Sequence, residues 1–214
     1  MKPIFRKVLI LSPHTDDAEL ACGGSIARFI EENISVYVIF FSNAKESLPP
    51  DSDPMTLPNE FSASMDVLGV PQENIAVLDY PVRNLAQYRQ AILDDLLKIR
   101  HKFNPDVILL PSGHDLHQDH QVLFAEGLRA FKDLTIWGYE LPWNHITFSA
   151  QAFVELELRH ISQKWKALEQ YKSQINDMPR LYFNYDFFES LAKVRGTQIK
   201  AKYAEAFEVI RIRY

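Results

Sequence analysis

Short, continuously apolar runs alternate along this chain with segments whose apolar residues have helical spacing. Five runs have the length of a strand: Lys7–Ser12, Val36–Phe41, Ile75–Leu78, Asp106–Leu110 and Thr135–Leu141. Strands that are apolar on both faces are typical of a parallel sheet covered by helices. Helical patterns over Asp17–Glu32 and Leu85–Lys102 lie between them. We therefore predict an α/β fold with a mostly parallel sheet and helices on both faces.

The remaining elements follow a less regular pattern. Four further segments indicate helices: Glu60–Leu68, His120–Phe131, Arg159–Gln174 and Tyr185–Lys200. Glu208–Arg213 alternates in polarity like an edge strand. Ser42–Pro58 contains four prolines and is predicted to be a long loop, a feature that is often functional or mobile.

Composition narrows the class of protein. A length of 214 residues, with 47% hydrophobic and 24% charged residues, fits one globular domain over residues 1–214. The apolar runs are too short to cross a bilayer, and the N-terminus lacks the features of a signal peptide, so we expect a cytoplasmic protein. A net charge of -5 without a Lys/Arg cluster argues against a nucleic-acid partner. With one cysteine, any metal ligands must be His, Asp or Glu.

Two polar clusters follow strands of the predicted sheet. The first contains His14, Asp16 and Asp17; the second follows Asp106–Leu110 and contains His114, Asp115, His117, Asp119 and His120. In an open α/β sheet, ligands bind at the carboxyl ends of the strands. Both clusters are therefore expected at one edge of the sheet, where they can form one site.

The spacing within each cluster suits a metal ion. His14 and Asp17 are three residues apart at a strand-to-helix turn, and His117 and His120 are three apart at a helix start. Two histidines and one aspartate suit Zn²⁺, although another divalent metal also fits. A water in an open position would have its pKa lowered toward ~7. An Asp can also simply cap a helix, and His is common on polar loops, so either cluster alone does not indicate a metal site. The two clusters occurring together do indicate one.

The motifs resemble those of the PIG-L/LmbE-like de-N-acetylases. The family's first motif, His-Pro-Asp-Asp followed by Glu and a Gly-Gly pair, stands here as His14-Thr15-Asp16-Asp17-Ala18-Glu19 and then Gly23-Gly24. Its second motif, His-X-Asp-His after a Pro-Asp-Val strand, stands as His117-Gln118-Asp119-His120 after Pro105-Asp106-Val107. The resemblance covers roughly the first two-thirds of the chain and implies a Rossmann-like fold. Physically, the glycine pair indicates close approach of the first helix to the sheet.

The resemblance also implies roles for individual residues. His14, Asp17 and His120 would bind zinc, and Asp16 would be the general base. His117 would stabilise the oxyanion, as a cation or as a hydrogen-bond donor, and Asp119 would orient a histidine. Spacing alone does not distinguish His120 as a ligand from His117.

This chain departs from the family pattern at two positions. Thr15 replaces the proline of the family motif. This change should be tolerated, because the side chain at this position has no required chemistry. Leu57 stands where family members often carry an arginine for the substrate, three residues before the glutamate matched by Glu60. This second departure puts the small amino-sugar substrates of the family in doubt.

Segments late in the chain resemble a branch of the family associated with bacterial surface-polysaccharide and sugar-nucleotide pathways. These segments are Gly138–Asn144, Arg195-Gly196 and Tyr203–Phe207. Within and before them we predict four substrate contacts. Trp143 would stack on a sugar, Glu140 and Asn144 would hold hydroxyls, and Arg83 would meet a phosphate. Taken singly, core packing explains an aromatic such as Trp143, and a surface ion pair explains an arginine such as Arg83, better than a substrate contact does.

The leading functional hypothesis is zinc-dependent removal of an N-acetyl group from a small molecule that contains an amino sugar: a sugar nucleotide, a glycoconjugate or a glycan precursor. One alternative keeps the metal and cleaves an ester or lactone. Another is a non-catalytic binding module on the same fold. The sequence leaves open whether the chain forms a homo-oligomer.

Overall fold

The apolar runs pair into one seven-stranded sheet with the order β3-β2-β1-β4-β5-β7-β6. The structure is a computed structural model that describes residues 5–49, 51–177 and 180–214. Its strands are β1 (Lys7–Ser12), β2 (Ser35–Phe40), β3 (Ile75–Val77), β4 (Val107–Pro111), β5 (Thr135–Tyr139), β6 (Ala152–Leu156) and β7 (Tyr203–Arg211). Strands β1 to β5 are parallel, which confirms the predicted α/β class.

Six α-helices are found in the described part of the chain. They are α1 (Asp17–Glu31), α2 (Thr56–Leu68), α3 (Arg89–Phe103), α4 (Gln118–Ala130), α5 (Leu158–Leu168) and α6 (Tyr185–Gln198). Within the described ranges, no helix is both long enough and apolar enough to cross a membrane.

Side chains alternate along each strand and pack into two cores. Val8 and Ile10 of β1 face a core shared with α1, α2, α5 and α6. Leu9 and Leu11 face the opposite core, against α3 and α4. Helices therefore cover both faces of the sheet. This arrangement is expected because successive side chains of a strand point to opposite faces, and both sets are apolar here.

The C-terminal elements differ from the prediction. Glu208–Arg213 is not an edge strand, because it belongs to β7, which lies between β5 and β6 and is antiparallel to both. The edge is formed by Ala152–Leu156, a short strand that the apolar pattern did not reveal. The helix predicted over Arg159–Gln174 ends at Leu168, and a π-helical turn follows at Ser173–Asp177.

Smaller differences concern element boundaries. Helix α2 begins at Thr56 instead of Glu60, because Pro58 lies in its first turn, where a proline removes no intrahelical hydrogen bond. The predicted loop is therefore shorter at its end, and it contains a 3₁₀ turn at Lys45–Ser47. A second 3₁₀ turn, Leu85–Tyr88, precedes α3.

The Gly23-Gly24 pair allows α1 to pack closely on its neighbours. A Cβ at Gly24 would lie 2.6 Å from Leu156 Cδ1 of β6, and one at Gly23 would lie 2.7 Å from Lys164 Cγ of α5. Both distances are too short for real contacts. The expected close approach of α1 to the sheet is confirmed at Gly24, whereas Gly23 allows close packing of α1 against helix α5.

Candidate active site

The turn between β1 and α1 carries the first polar cluster. Ser12 Oγ accepts a hydrogen bond from the Ala18 N–H, at the first turn of α1, and donates to the His14 carbonyl. Asp17 Oδ2 accepts from the His14 N–H at 2.9 Å. The Asp16 side chain makes no capping hydrogen bond, although Asp16 is the N-cap residue of α1. Neither carboxylate of this turn therefore caps α1 by accepting a hydrogen bond from a backbone N–H of its first turn, the common role of Asp at the start of a helix.

The loop between β4 and α4 brings the second cluster to the same place. Strands β1 and β4 are adjacent and parallel, so their carboxyl ends lie side by side. The strand order reverses between them, because β2 and β3 are added on one side of β1 whereas β4 and β5 are added on the other. Asp115 Oδ1 accepts from the His117 N–H at 2.8 Å, and His117 is the N-cap residue of α4. The loop is thus fixed at the edge of the sheet, next to the β1–α1 turn.

Three side-chain atoms from the two clusters form a nearly equilateral triangle. His14 Nδ1 lies 3.1 Å from Asp17 Oδ2 and 3.3 Å from His120 Nε2. Asp17 Oδ2 lies 3.2 Å from His120 Nε2. Ligands about 2.0–2.1 Å from a tetrahedral zinc are roughly 3.3–3.4 Å apart, so these donors fit a divalent cation. His117 is also near enough for a looser His14–His117–His120 group, whose ligand atoms lie within 4.8 Å of one another.

Two buried carboxylates hold the imidazoles from behind. Asp119 Oδ2 lies 3.0 Å from His14 Nε2, and Asp115 Oδ2 lies 2.7 Å from His120 Nδ1. Each carboxylate accepts a hydrogen bond from the ring N–H on the far side, which leaves His14 Nδ1 and His120 Nε2 with free lone pairs in the triangle. Asp119 was predicted to orient a histidine, and it contacts His14. The position of Asp115 behind His120 was not predicted, although the residue stood in the second cluster.

The surrounding carboxylates make this cluster favourable for positive charge. Burial lowers the pKa of His120, but Asp17 and Asp115 outweigh it and raise that pKa to about 10. Burial raises the pKa of Asp17, yet His120 and His14 hold it well below its usual range. A divalent cation replaces protons at such a site, because metal ligands must be deprotonated.

Asp16 and His117 lie beside the triangle and line the same cavity. Burial, followed by the neighbouring Asp17 carboxylate, raises the pKa of Asp16 above its ordinary value. His117 Nδ1 accepts from the Asp119 N–H at 3.2 Å, so its Nε2 carries the proton of the neutral ring. Burial, with His120 and His14, lowers the pKa of His117 to about 4. A neutral ring with a protonated Nε2 is a hydrogen-bond donor and lacks a lone pair for a metal, which favours the tighter triangle.

The cavity in front of the triangle has a volume of about 290 Å³, which suits part of a small molecule. Its wall includes three of the four predicted substrate residues: Arg83, Trp143 and Asn144. Leu57 also lines it. Three other residues of the wall, all from the segment after α5, were not predicted: Gln174, Arg180 and Tyr182.

Glu140 does not belong to this cavity, contrary to its predicted role. Its carboxylate forms a two-pronged ion pair with Arg195 and lines a separate, small cavity beside α6. Both oxygens are engaged by the guanidinium, so neither is free to hold a hydroxyl in this structure. Glu140 and Arg195 come from two of the late segments that resemble the polysaccharide branch, and the ion pair joins these segments.

Asp119 also fixes the loop that carries Arg83. Its Oδ2 accepts from the Arg83 N–H at 2.6 Å, and its Oδ1 accepts from the Leu85 N–H at 3.3 Å. Arg83 has a φ of 65°, an uncommon left-handed conformation for a residue other than glycine. The carboxylate behind His14 thus holds both a candidate metal ligand and a candidate substrate arm.

Comparisons with known proteins identify the family of this chain. The profile of the PIG-L family, described as GlcNAc-PI de-N-acetylase, matches residues 9–131. The uncharacterized deacetylase YaiS of Escherichia coli strain K12 is 26% identical over 171 residues, which span 78% of this chain and 90% of that protein.

Solved structures share the fold. N,N'-diacetylchitobiose deacetylase from Pyrococcus horikoshii superposes with a TM-score of 0.81 at 22% identity, covering 97% of this chain and 84% of that one. The zinc-inhibited form of teicoplanin deacetylase Orf2 gives 0.78 at 19% identity, covering 94% and 96%. At such identities these structures establish the fold alone. Because the family profile spans more than half of the sequence, the chain belongs to the PIG-L family of GlcNAc-PI de-N-acetylases.

Proposed function

We propose that this protein is a divalent-cation-dependent hydrolase, with zinc as the expected metal, that removes an N-acetyl group from a small molecule containing an amino sugar. The observation that carries the proposal is the triangle of His14 Nδ1, Asp17 Oδ2 and His120 Nε2, with Asp16 and His117 beside it in one cavity. Membership in a family of de-N-acetylases supports an N-acetyl amide as the bond that is cleaved.

In this proposal His14, Asp17 and His120 hold the cation, and Asp115 and Asp119 fix the two imidazoles. When bound, the cation would act as a Lewis acid and lower the pKa of a water toward ~7. The ligand set contains one carboxylate and two neutral rings, so a divalent cation would keep a net positive charge and remain an effective Lewis acid.

Asp16 acts as the general base. Its carboxylate takes a proton from the attacking water as the water oxygen bonds to the amide carbon. It then gives that proton to the nitrogen as the C–N bond breaks, so acetate and a primary amine leave. A raised pKa suits a group that must both accept and return a proton near neutral pH.

His117 stabilises the developing oxyanion by donating its Nε2–H to the acyl oxygen. The Asp119 N–H holds its Nδ1, which fixes the ring and the tautomer. Its low pKa supports the role of a neutral donor over that of a cation, which are the two alternatives left open by the family resemblance.

The substrate side of the cavity has polar and aromatic groups suited to a sugar. Arg83 and Asn144 provide donors, and Trp143 provides an apolar surface. The ring of Trp143 is stacked on Tyr182 with centroids 3.7 Å apart, so one of its faces is already covered. A sugar would contact its edge or its other face.

The test is release of acetate by the purified protein. A panel of N-acetyl sugars should yield acetate and a primary amine in equal amounts, with the activity lost on chelation and restored by Zn²⁺. Matched N-acetyl and O-acetyl substrates address the alternative bond, because preferential O-acetyl cleavage would indicate an esterase. If no member of a broad panel releases acetate from the metal-loaded protein, deacetylation is the wrong assignment.

A further inference from the structure

The loop after β3 carries Arg83 into the cavity wall, and its two halves are held in different ways. The first half is tied to the sheet, because the N–H groups of Leu78 and Tyr80 donate to carbonyls at and just after the end of β2, at 2.9 and 3.0 Å. The second half is tied to Asp119, which accepts from the Arg83 and Leu85 N–H groups. Asp119 lies in the first turn of α4, so one side chain of that helix positions this half of the loop.

The backbone of Arg83 needs such support. Its φ of 65° is a left-handed conformation that residues other than glycine seldom adopt, and it persists where the surroundings hold it. The guanidinium makes a long contact, from Nη2 to the Glu46 carbonyl at 3.4 Å, whereas the Arg83 N–H lies 2.6 Å from Asp119 Oδ2. The backbone hydrogen bond to Asp119 is therefore the stronger of the two attachments.

The oxygen that holds Arg83 also holds His14. Asp119 Oδ2 lies 3.0 Å from His14 Nε2, and the Asp119 side chain is completely buried. The carboxylate cannot turn to follow one donor without lengthening its hydrogen bond to the other. The orientation of the His14 ring and the position of the Arg83 backbone are therefore linked through a single atom.

His14 faces the metal triangle with the other ring nitrogen. Its Nδ1 lies 3.1 Å from Asp17 Oδ2, whereas Nε2 points away from the triangle toward Asp119. With a cation on Nδ1, the ring is held in one orientation, and its Nε2–H becomes a stronger donor to the carboxylate behind it. Order imposed on His14 then passes to Asp119 and from there to the loop.

We infer that Asp119 is a positioning residue that couples cation binding to the order of residues 82–85, so that Arg83 is held more firmly in the cavity wall when the metal site is filled. The inference rests on the proposed function for the identity of the metal ligands. A coupling of this kind is reciprocal, so a ligand that fixes the loop also favours the cation. The metal-loaded protein is then the form that presents Arg83 to a substrate.

Amide hydrogen exchange measures this order directly, because it reports local opening of the backbone. The rates are compared in metal-free and zinc-loaded wild-type protein. Zinc should slow exchange of the Arg83 and Leu85 N–H groups by at least about fivefold. The Arg6 and Lys7 N–H groups are the internal reference, since both donate to the carboxylate of Asp106 at the amino ends of the strands and should be unaffected. Equal rates at Arg83 and Leu85 with and without zinc would overturn the inference.

Two variants compare the carboxylates that lie behind the ligand histidines. Both are studied at saturating zinc, with the metal content measured. Asp119→Asn should lose most of the zinc-dependent protection of the loop. Asp115→Asn is the matched control and should keep that protection, because the Asp115 carboxylate contacts His120, the His117 N–H and Asn144.

Protection that survives in zinc-loaded Asp119→Asn contradicts the coupling. Protection that is lost equally in Asp119→Asn and Asp115→Asn also contradicts it, since the protection would then depend on the metal site as a whole. Melting temperatures show whether each variant is folded. Asp119→Ser is the second variant if Asp119→Asn does not fold, and the wild-type comparison needs no variant.

Acetate release separates this inference from the proposed function. If the zinc-loaded wild-type protein releases acetate but zinc leaves exchange in the loop unchanged, the coupling is wrong while the proposed function stands. If zinc protects the loop but no N-acetyl sugar is hydrolysed, the proposed function fails while the coupling stands. If zinc does not bind, both fail.

Discussion

Asp115 Oδ2 lies 2.7 Å from His120 Nδ1, and both side chains are almost completely buried. This contact determines which nitrogen of His120 faces the metal triangle. The same carboxylate group holds the His117 N–H and lies within 3.4 Å of Asn144 Nδ2. Asp115 therefore connects a candidate metal ligand, the proposed oxyanion donor His117 and the side of the cavity that carries Asn144.

Replacing Asp115 should weaken metal binding without removing a ligand. In Asp115→Asn the partner of His120 loses its charge, so the imidazole becomes a poorer donor and its orientation less fixed. We expect zinc affinity to fall about 10- to 100-fold, measured by competition with a chelator. Asp133→Asn, on the surface near β5, is the control and should keep wild-type affinity. Unchanged affinity in Asp115→Asn would show that this contact does not support a metal site.

Replacing His117 should lower the rate of turnover, whereas replacing His120 should remove the metal. His117→Gln should retain stoichiometric zinc and lower kcat by about 10²- to 10³-fold, because an oxyanion donor is removed. His120→Gln should lose zinc. Metal analysis of both variants together with acetate release tests the assignment. Loss of zinc in His117→Gln would instead favour the looser His14–His117–His120 group.

A buried ion pair outside the cavity of the candidate site should matter for stability. Lys164 Nζ lies 2.7 Å from Glu205 Oε1, and Glu205 also accepts from the Gly24 and Ser25 N–H groups. Lys164→Met leaves the carboxylate buried without its cation, and we expect a loss of about 3–5 kcal/mol in the free energy of unfolding.

Denaturant unfolding measures this loss. Lys166→Met changes an exposed lysine of the same helix and should cost less than about 0.5 kcal/mol. The double change Lys164→Met/Glu205→Leu should recover much of the stability, since a buried pair is often replaceable by apolar groups. A Lys164→Met protein as stable as the wild type would mean that Glu205 is solvated.

The parallel half of the fold was predictable because its strands are apolar on both faces and separated by helical spacing. Both motifs follow such strands, so their meeting at one edge of the sheet followed from topology. The antiparallel half was not predictable in the same way. Strand β6 is short and only partly buried, and the interior place of β7 depends on pairing with distant residues.

The same distinction applies to the site. His14, Asp17 and His120 stand in compact motifs whose spacing is visible in the sequence. Arg180 and Gln174 reach the cavity from a segment whose sequence has no recognisable motif, and only the folded chain places them in the same cavity as Asp16. Glu140 illustrates the opposite case, because its place in a segment that resembles a family branch predicts a substrate contact, whereas its ion-pair partner Arg195 lies far along the chain.

We propose that Asp16 is the base beside a cation held by His14, Asp17 and His120, and replacing Asp16 separates its role from metal binding. Asp16→Asn, analysed for zinc content and acetate release on the same preparation, should keep wild-type zinc. Its rate of acetate release should fall by about 10²- to 10⁴-fold. Wild-type turnover in zinc-loaded Asp16→Asn would show that Asp16 is not the general base.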